Sequence, residues 1–62
     1  MRETIQQILM RRDKMSKSVA KALIAEAQDA FEDYIAEGDE ERAYNVCQEY
    51  FNLEPDYLDE LI

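Results

Sequence analysis

The chain of 62 residues has few of the side chains that build common catalytic and metal sites. It contains no histidine, no tryptophan and a single cysteine, Cys47. Zinc sites made of cysteine and histidine need more ligands than this, and the Ser-His-Asp and Cys-His arrangements need a histidine base. We therefore expect no enzyme, no catalytic residue, no cofactor and no metal site. One cysteine also allows no internal disulfide, which suits a reducing cytoplasm.

Glycine and proline each occur once, as Gly38 and Pro55. Loops that cradle phosphate need several glycines, so the sequence predicts no such loop. The carboxylates from residue 37 to 41 lack the ligand spacing of a calcium-binding loop, and a helix junction with its caps is the better interpretation. A chain with so few breaks favours long helices.

The longest predicted helix lies between Ser16 and Gly38. Ser16 is a good N-cap, because its hydroxyl can accept an unpaired N–H of the first turn. Gly38 suits the position after the last turn, where the backbone turns left-handed. Between them, apolar residues from Ala20 to Ile35 recur at steps of three and four, which is the period of an amphipathic helix.

Shorter helices are predicted on both sides of this one. Ile5, Ile8 and Leu9 form an apolar stripe before it, and a second stripe runs from Ala43 to Phe51 with Cys47 as a buried apolar residue. Pro55 fits the first position of a last helix. The predicted helices are about 2–13, 17–37, 40–51 and 55–61. We predict an all-α fold with one domain, residues 1–62: a small three-helix bundle around a long central helix, plus a short C-terminal fourth helix.

The sequence has no long apolar run. Its longest uninterrupted apolar stretches are a few residues, far short of a membrane span. Glutamines and arginines interrupt the first twelve residues, unlike the apolar core of a signal peptide. We expect no membrane contact and a cytoplasmic location.

Charge is unevenly distributed along the chain. Residues 1–21 carry six basic and two acidic side chains, a net +4, while residues 22–62 carry one basic and thirteen acidic, a net −12, which gives −8 in total. Phosphate binding needs concentrated lysine and arginine, so direct nucleic-acid binding is not expected. A protein partner with a basic surface fits better. The acids expected to meet it are Glu26, Asp29, Asp33, Glu37, Glu40 and Glu41. The alternative is that these acids form a solvated face.

The shortness of the chain favours self-association. A domain of this size buries a small share of its surface and is marginally stable alone. We therefore expect a homo-oligomer, most simply a dimer. The residues that could form an apolar interface are Tyr44, Tyr57, Leu61 and Ile62. The alternative is that they pack within their own chain.

Two segments carry a resemblance. Asp13-Lys14-Met15-Ser16 followed by an alanine-rich helix, and the segment from Leu53 to Leu61 (LEPDYLDEL), resemble small uncharacterised acidic helical proteins of Gram-positive bacteria and their phages. The resemblance implies an origin in a phage or mobile element. Small acidic phage proteins include inhibitors of host defence, among them anti-restriction and anti-CRISPR proteins, so the resemblance also implies an inhibitory role.

Two functional hypotheses follow. The first is a non-enzymatic protein-interaction module of the phage-inhibitor type, whose acidic face imitates nucleic acid and blocks the basic nucleic-acid-binding surface of a host protein. The second is a self-assembling, homodimeric structural or regulatory protein with an apolar interface and no nucleic-acid mimicry.

Overall fold

The computed structural model describes residues 2–62, and every regular element in that range is helical. The α-helices are α1 (Ile5–Arg12), α2 (Lys17–Ala36), α3 (Glu40–Tyr44) and α4 (Val46–Phe51), followed by a 3₁₀ helix over Pro55–Glu60. The prediction of an all-α fold with one long helix is confirmed. Across residues 2–62 no helix is both long and apolar enough to cross a membrane.

Helix α1 begins at Ile5 rather than near residue 2, because a capping box fixes its start. The Thr4 hydroxyl accepts the N–H of Gln7 at 3.2 Å, and the Gln7 side chain accepts the N–H of Thr4 at 2.8 Å. These two bonds satisfy donors that a helix start otherwise leaves unpaired. The helix ends at Arg12, and Lys14 then adopts a left-handed backbone with φ of 57°.

Helix α2 has caps at both ends. The Ser16 hydroxyl accepts the N–H of Val19 at 3.2 Å. At the other end Gly38 has φ of 79°, and the N–H of Asp39 donates to the carbonyl of Tyr34 at 2.8 Å. This left-handed glycine with its backward bond is a Schellman ending. The helix stops at Ala36, one residue before the predicted end.

The helix predicted over residues 40–51 is interrupted at Asn45, which separates α3 from α4. Asn45 has φ −95° and ψ 7°, and its side-chain amide donates to the carbonyl of Glu41 at 3.1 Å. Asparagine competes with helix geometry in this way because its side chain bonds to nearby backbone groups. The apolar stripe continues across the break, with Ala43 and Val46 both buried.

The last element is a 3₁₀ helix over Pro55–Glu60, where an α-helix over 55–61 was predicted. Asn52 ends α4 with φ of 55°. The N–H of Tyr57 then donates to the carbonyl of Glu54 at 3.2 Å, and that of Leu61 donates to Leu58 at 2.9 Å. Hydrogen bonds from the N–H of residue i+3 to the carbonyl of residue i define a 3₁₀ helix, which is tighter than an α-helix and common in short segments.

One apolar cluster joins α1, α2, α4 and the C-terminal segment. Phe51 is its largest fully buried side chain. Alanines in α2 allow the neighbouring helices to come close, and half-buried residues such as Leu23 and Phe31 surround them. The cluster consists of Ile5, Leu9, Ala20, Ala27, Val46, Cys47, Phe51 and Leu61.

Candidate protein-interaction surface

Six acidic residues follow one side of α2 and continue into α3; we call them the acidic flank. They are Glu26, Asp29, Asp33, Glu37, Glu40 and Glu41, and all six are exposed. The first four recur at steps of three and four, so they share one side of the helix. Glu37 is the C-cap of α2, and Glu40 and Glu41 form the first turn of α3.

No salt bridge among residues 2–62 involves a member of the acidic flank. All the salt bridges in this range join arginines to carboxylates outside the acidic flank. Arg42 is the one base beyond residue 21, and it lies 3.4 Å from Asp39. The flank therefore keeps its negative charge facing solvent. The other bridges are Arg2–Asp59, Arg2–Glu60, Arg11–Glu3 and Arg12–Asp13.

An open cleft of about 360 Å³ lies beside the flank where α2 meets α3 and α4. Three carboxylates and one guanidinium line it, so its charge is negative. Such a cleft suits a cationic side chain better than an anion. Its lining residues are Tyr34, Asp39, Glu41, Arg42, Asn45 and Glu49. In the described part of the chain, no three potential ligands converge closely enough to hold a metal ion.

The four residues predicted as an apolar interface have different environments. Tyr44 is 59% exposed and Ile62 is 88% exposed. Tyr57 is half-buried beneath the guanidinium of Arg2, which lies 4.4 Å from the ring centroid. Leu61 is 4% exposed and belongs to the apolar core, so it must be removed from the interface set. Its burial follows from the docking of the 3₁₀ helix on α4, which turns the end of the chain inward.

The docking of the C-terminal segment depends on contacts that the sequence analysis missed. Arg2 donates to the carbonyl of Asp56 at 2.8 Å and to the carboxylate of Asp59 at 2.7 Å. The N–H of Ile5 donates to the carboxylate of Glu60 at 2.9 Å. The bond to Asp59 raises the pKa of the Arg2 guanidinium. Opposite charge at the two ends of the sequence was the only signal for this contact.

Cys47 is fully buried in α4. Burial raises the pKa of its thiol, and the carboxylates of Glu60 and Asp59 raise it further. The thiolate is the reactive form of cysteine. This environment therefore disfavours reactivity and suits a small apolar side chain.

The chain matches no family model, and no curated protein or solved structure matches it.

Proposed function

We propose that this protein is a non-enzymatic interaction module whose acidic flank binds a basic surface of another protein. One observation supports the proposal: all six carboxylates of the flank are exposed, and none is in a salt bridge with a described residue. Concentrated charge of one sign speeds encounter with a surface of the opposite sign and disfavours partners of the same sign.

The partner that best fits the flank is a nucleic-acid-binding protein. Successive acids of the flank on α2 are three and four residues apart, which is ~5–6 Å along the helix axis. That distance is of the order of the spacing between backbone phosphates. A groove of lysines and arginines that binds a phosphate backbone therefore presents its cations at a suitable interval for Glu26, Asp29 and Asp33.

The resemblance to small acidic phage proteins supports a sharper form of the proposal. In this form, the protein inhibits a nucleic-acid-binding protein of a bacterial host by occupying the groove that nucleic acid would use. Such an inhibitor acts in the host cytoplasm and binds no nucleic acid itself. This sharper form rests on resemblance as well as on the flank, so its test must identify the partner.

The test immobilises the protein and exposes it to a lysate of a Gram-positive bacterium at low salt. We expect a nucleic-acid-binding protein to be retained, to elute as salt rises, and to be displaced by added double-stranded DNA. Each exposed charge contact at ~4 Å is worth about 1 kcal/mol in water before screening by salt. Reversing two acids (Asp29→Lys with Asp33→Lys) should therefore weaken retention roughly tenfold or more.

The matched control is Glu54→Lys. Glu54 is exposed, forms no salt bridge within residues 2–62 and lies outside the flank. This control should retain the partner nearly as well as the parent protein does. The proposal fails if no nucleic-acid-binding protein is retained, or if the double reversal and Glu54→Lys weaken retention equally.

The second candidate function is self-assembly through an apolar interface. The exposure of Tyr44 and Ile62 favours it, whereas Tyr57 and Leu61 are engaged within the chain. Sedimentation would show a dimer that is insensitive to salt, and Tyr44→Ser with Ile62→Ser would dissociate it. A dimer that survives both changes would exclude this interface.

We also propose that α3 and α4 act as one helical arm, so that the chain forms a three-helix bundle with a short C-terminal helix. The continuous buried stripe across Asn45 supports this. Replacing Asn45 with alanine, a stronger helix former, should then preserve cooperative unfolding and keep or raise the helical circular-dichroism signal. A loss of helical signal would show that the break is required.

A further inference from the structure

The charges on α2 run against the helix dipole. Carboxylates are favourable near the start of a helix and cations near its end. Helix α2 has no acid in its first turn and no base in its last, and its first residue is Lys17. By contrast, α1 ends with Arg11 and Arg12, and α3 begins with Glu40 and Glu41. The longest helix is therefore the one whose charges are placed unfavourably.

Nothing in the described chain compensates the lysines at the start of α2. Lys14, Lys17 and Lys21 are exposed, and none forms a salt bridge with a residue between 2 and 62. Every arginine of the protein does form one. Free cations therefore gather at one end of α2 and free carboxylates at the other.

A second exposed side of α2 carries both signs of charge; we call it the mixed-charge flank. Its members recur at alternating steps of three and four, the spacing of a seam between two helices. At 100° per residue, its centre lies roughly 130° around the helix from the centre of the core stripe and roughly 115° from that of the acidic flank, although Ser18 borders Asp29 and Ile35 borders Ile24. Ile35 is 50% exposed there. The flank consists of Ser18, Lys21, Ala25, Gln28, Glu32 and Ile35, all exposed except the half-buried Gln28.

We propose that a second copy of this chain docks on the mixed-charge flank, with the two α2 helices antiparallel. The middle of α2 lies between residues 26 and 27. Lys21 and Glu32 are equally far from that point, so a two-fold axis through it opposes Lys21 of each copy to Glu32 of the other. Ala25 and Gln28 are equally near the axis, so the small side chain of Ala25 in each copy faces Gln28 of the other.

The antiparallel arrangement resolves the unfavourable charge order of α2. It places Lys21 of each copy beside Glu32 of the other and sets the two helix dipoles in opposite directions. A parallel pair would place lysine beside lysine and glutamate beside glutamate. The proposal differs from the first function proposed above, because the occupant is a second copy and not another protein. It differs from the self-assembly candidate, because the interface is a charged side of α2 and not the apolar residues Tyr44 and Ile62.

Sedimentation of the full chain and of two single charge reversals, Lys21→Glu and Glu32→Lys, tests the proposal. The parent protein should dimerise at low salt. Each reversal creates two like-charge contacts per dimer, and it should weaken dimerisation roughly tenfold or more. An equimolar mixture of the two variants should dimerise again, because each new charge then meets its opposite. The double variant should also dimerise.

If two copies repelled each other only through their net charge, the two charge reversals would have different effects on dimerisation. Lys21→Glu takes the net charge per copy from −8 to −10, whereas Glu32→Lys takes it to −6. If net charge alone governed association, the first change would weaken the dimer and the second would strengthen it. Weakening by both changes, with recovery on mixing, supports the paired seam.

Matched controls are Lys14→Glu and Glu54→Lys, which make the same charge changes off the mixed-charge flank. Both should leave dimerisation within a few-fold of the parent. Far-UV circular dichroism should show folded protein for every variant, because all the substituted residues are exposed. A parent protein that stays monomeric at low salt, or a mixture that fails to dimerise, would overturn the proposal.

Discussion

Lys14 holds a backbone conformation that suits glycine. Its φ is 57°, in the left-handed region, at the turn between α1 and α2. One hydrogen bond of the turn depends on this conformation: the N–H of Met15, just after Lys14, donates to the carbonyl of Leu9 at 3.3 Å. The side chain of Lys14 is exposed and forms no salt bridge with a described residue. Lys14→Gly therefore removes backbone strain while sacrificing little contact.

The expected gain follows from two opposing terms. The left-handed conformation costs a residue with a Cβ about 1–2 kcal/mol, and glycine avoids that cost. Glycine also loses more conformational entropy on folding than other residues do, and this loss cancels roughly 0.5–1 kcal/mol of the gain. The net expectation is that Lys14→Gly stabilises the fold by about 0.5–1 kcal/mol. For a chain of this size, that raises the melting temperature by about 2–8 °C.

Thermal and urea unfolding followed by circular dichroism would measure this change. Parent and variants must be compared at equal protein concentration, because the proposed dimer would make the melting temperature concentration-dependent. The matched control is Lys14→Ala, which removes the same charge and side chain but keeps the Cβ. Lys14→Gly should be clearly more stable than Lys14→Ala. Equal stability of these two variants would refute the claim that left-handed strain resides at this turn.

Three further predictions concern the core, a helix cap and pH. Phe51→Ala should cost about 3–5 kcal/mol in a chemical melt, because the ring is 2% exposed, whereas Tyr44→Ala should change stability by less than about 0.5 kcal/mol. Ser16→Ala should cost about 1 kcal/mol by losing the N-cap bond of α2, and an unchanged melting curve would contradict the assigned cap. The hydrogen bond from Arg11 lowers the pKa of Glu3 from its usual 4.5, so the contribution of this carboxylate is present at neutral pH and lost as pH falls below that value. Glu3→Gln should therefore be less stable than the parent at pH 7 and indistinguishable from it in strong acid; a constant difference at all pH values would refute the pair.

Residues that cap a helix made α2 predictable, and the lack of a comparable signal explains why the break at Asn45 was not predicted. Ser16 and Gly38 have side-chain or backbone properties that act within one turn, so their roles can be inferred from neighbouring residues. At the break, the only local signal is Asn45 itself, and the helix propensity of one asparagine is a weaker signal than a cap. The apolar stripe continues through the break. Hydrophobic periodicity therefore cannot reveal a backbone change that leaves the same side chains buried.

The burial of Leu61 depends on contacts that are distant in sequence. Arg2 and Asp59, which help to hold the C-terminal segment, are 57 positions apart. Apolar residues near a chain end fit an interface or a core equally well until the docking of the segment is known. The exposure of the acidic flank posed no such difficulty, because carboxylates are buried only when they are paired, and six of them have one nearby base.

The arginines of this protein form salt bridges within residues 2–62, whereas the lysines do not, and the chemistry of the two side chains explains the difference. Arg11 binds Glu3 through both Nε and Nη2, and Arg12 binds Asp13 in the same way while its Nη2 also donates to the carbonyl of Phe51 at 2.6 Å. The planar guanidinium suits such forked contacts, whereas the lysine ammonium is a hydrated point charge. The arginines are thus engaged within the chain, whereas the lysines form no salt bridge with a described residue.

This division gives salt opposite effects on folding and on association. Folding gains little from exposed ion pairs, and the monomer carries a net charge of −8 whose self-repulsion salt screens. Added salt should therefore preserve or raise the stability of the monomer. Both proposed contacts of α2 depend on attraction between exposed charges of different molecules, so the same salt should weaken them. Dissociation by salt without unfolding would thus distinguish these charged flanks from an apolar interface, which salt does not weaken.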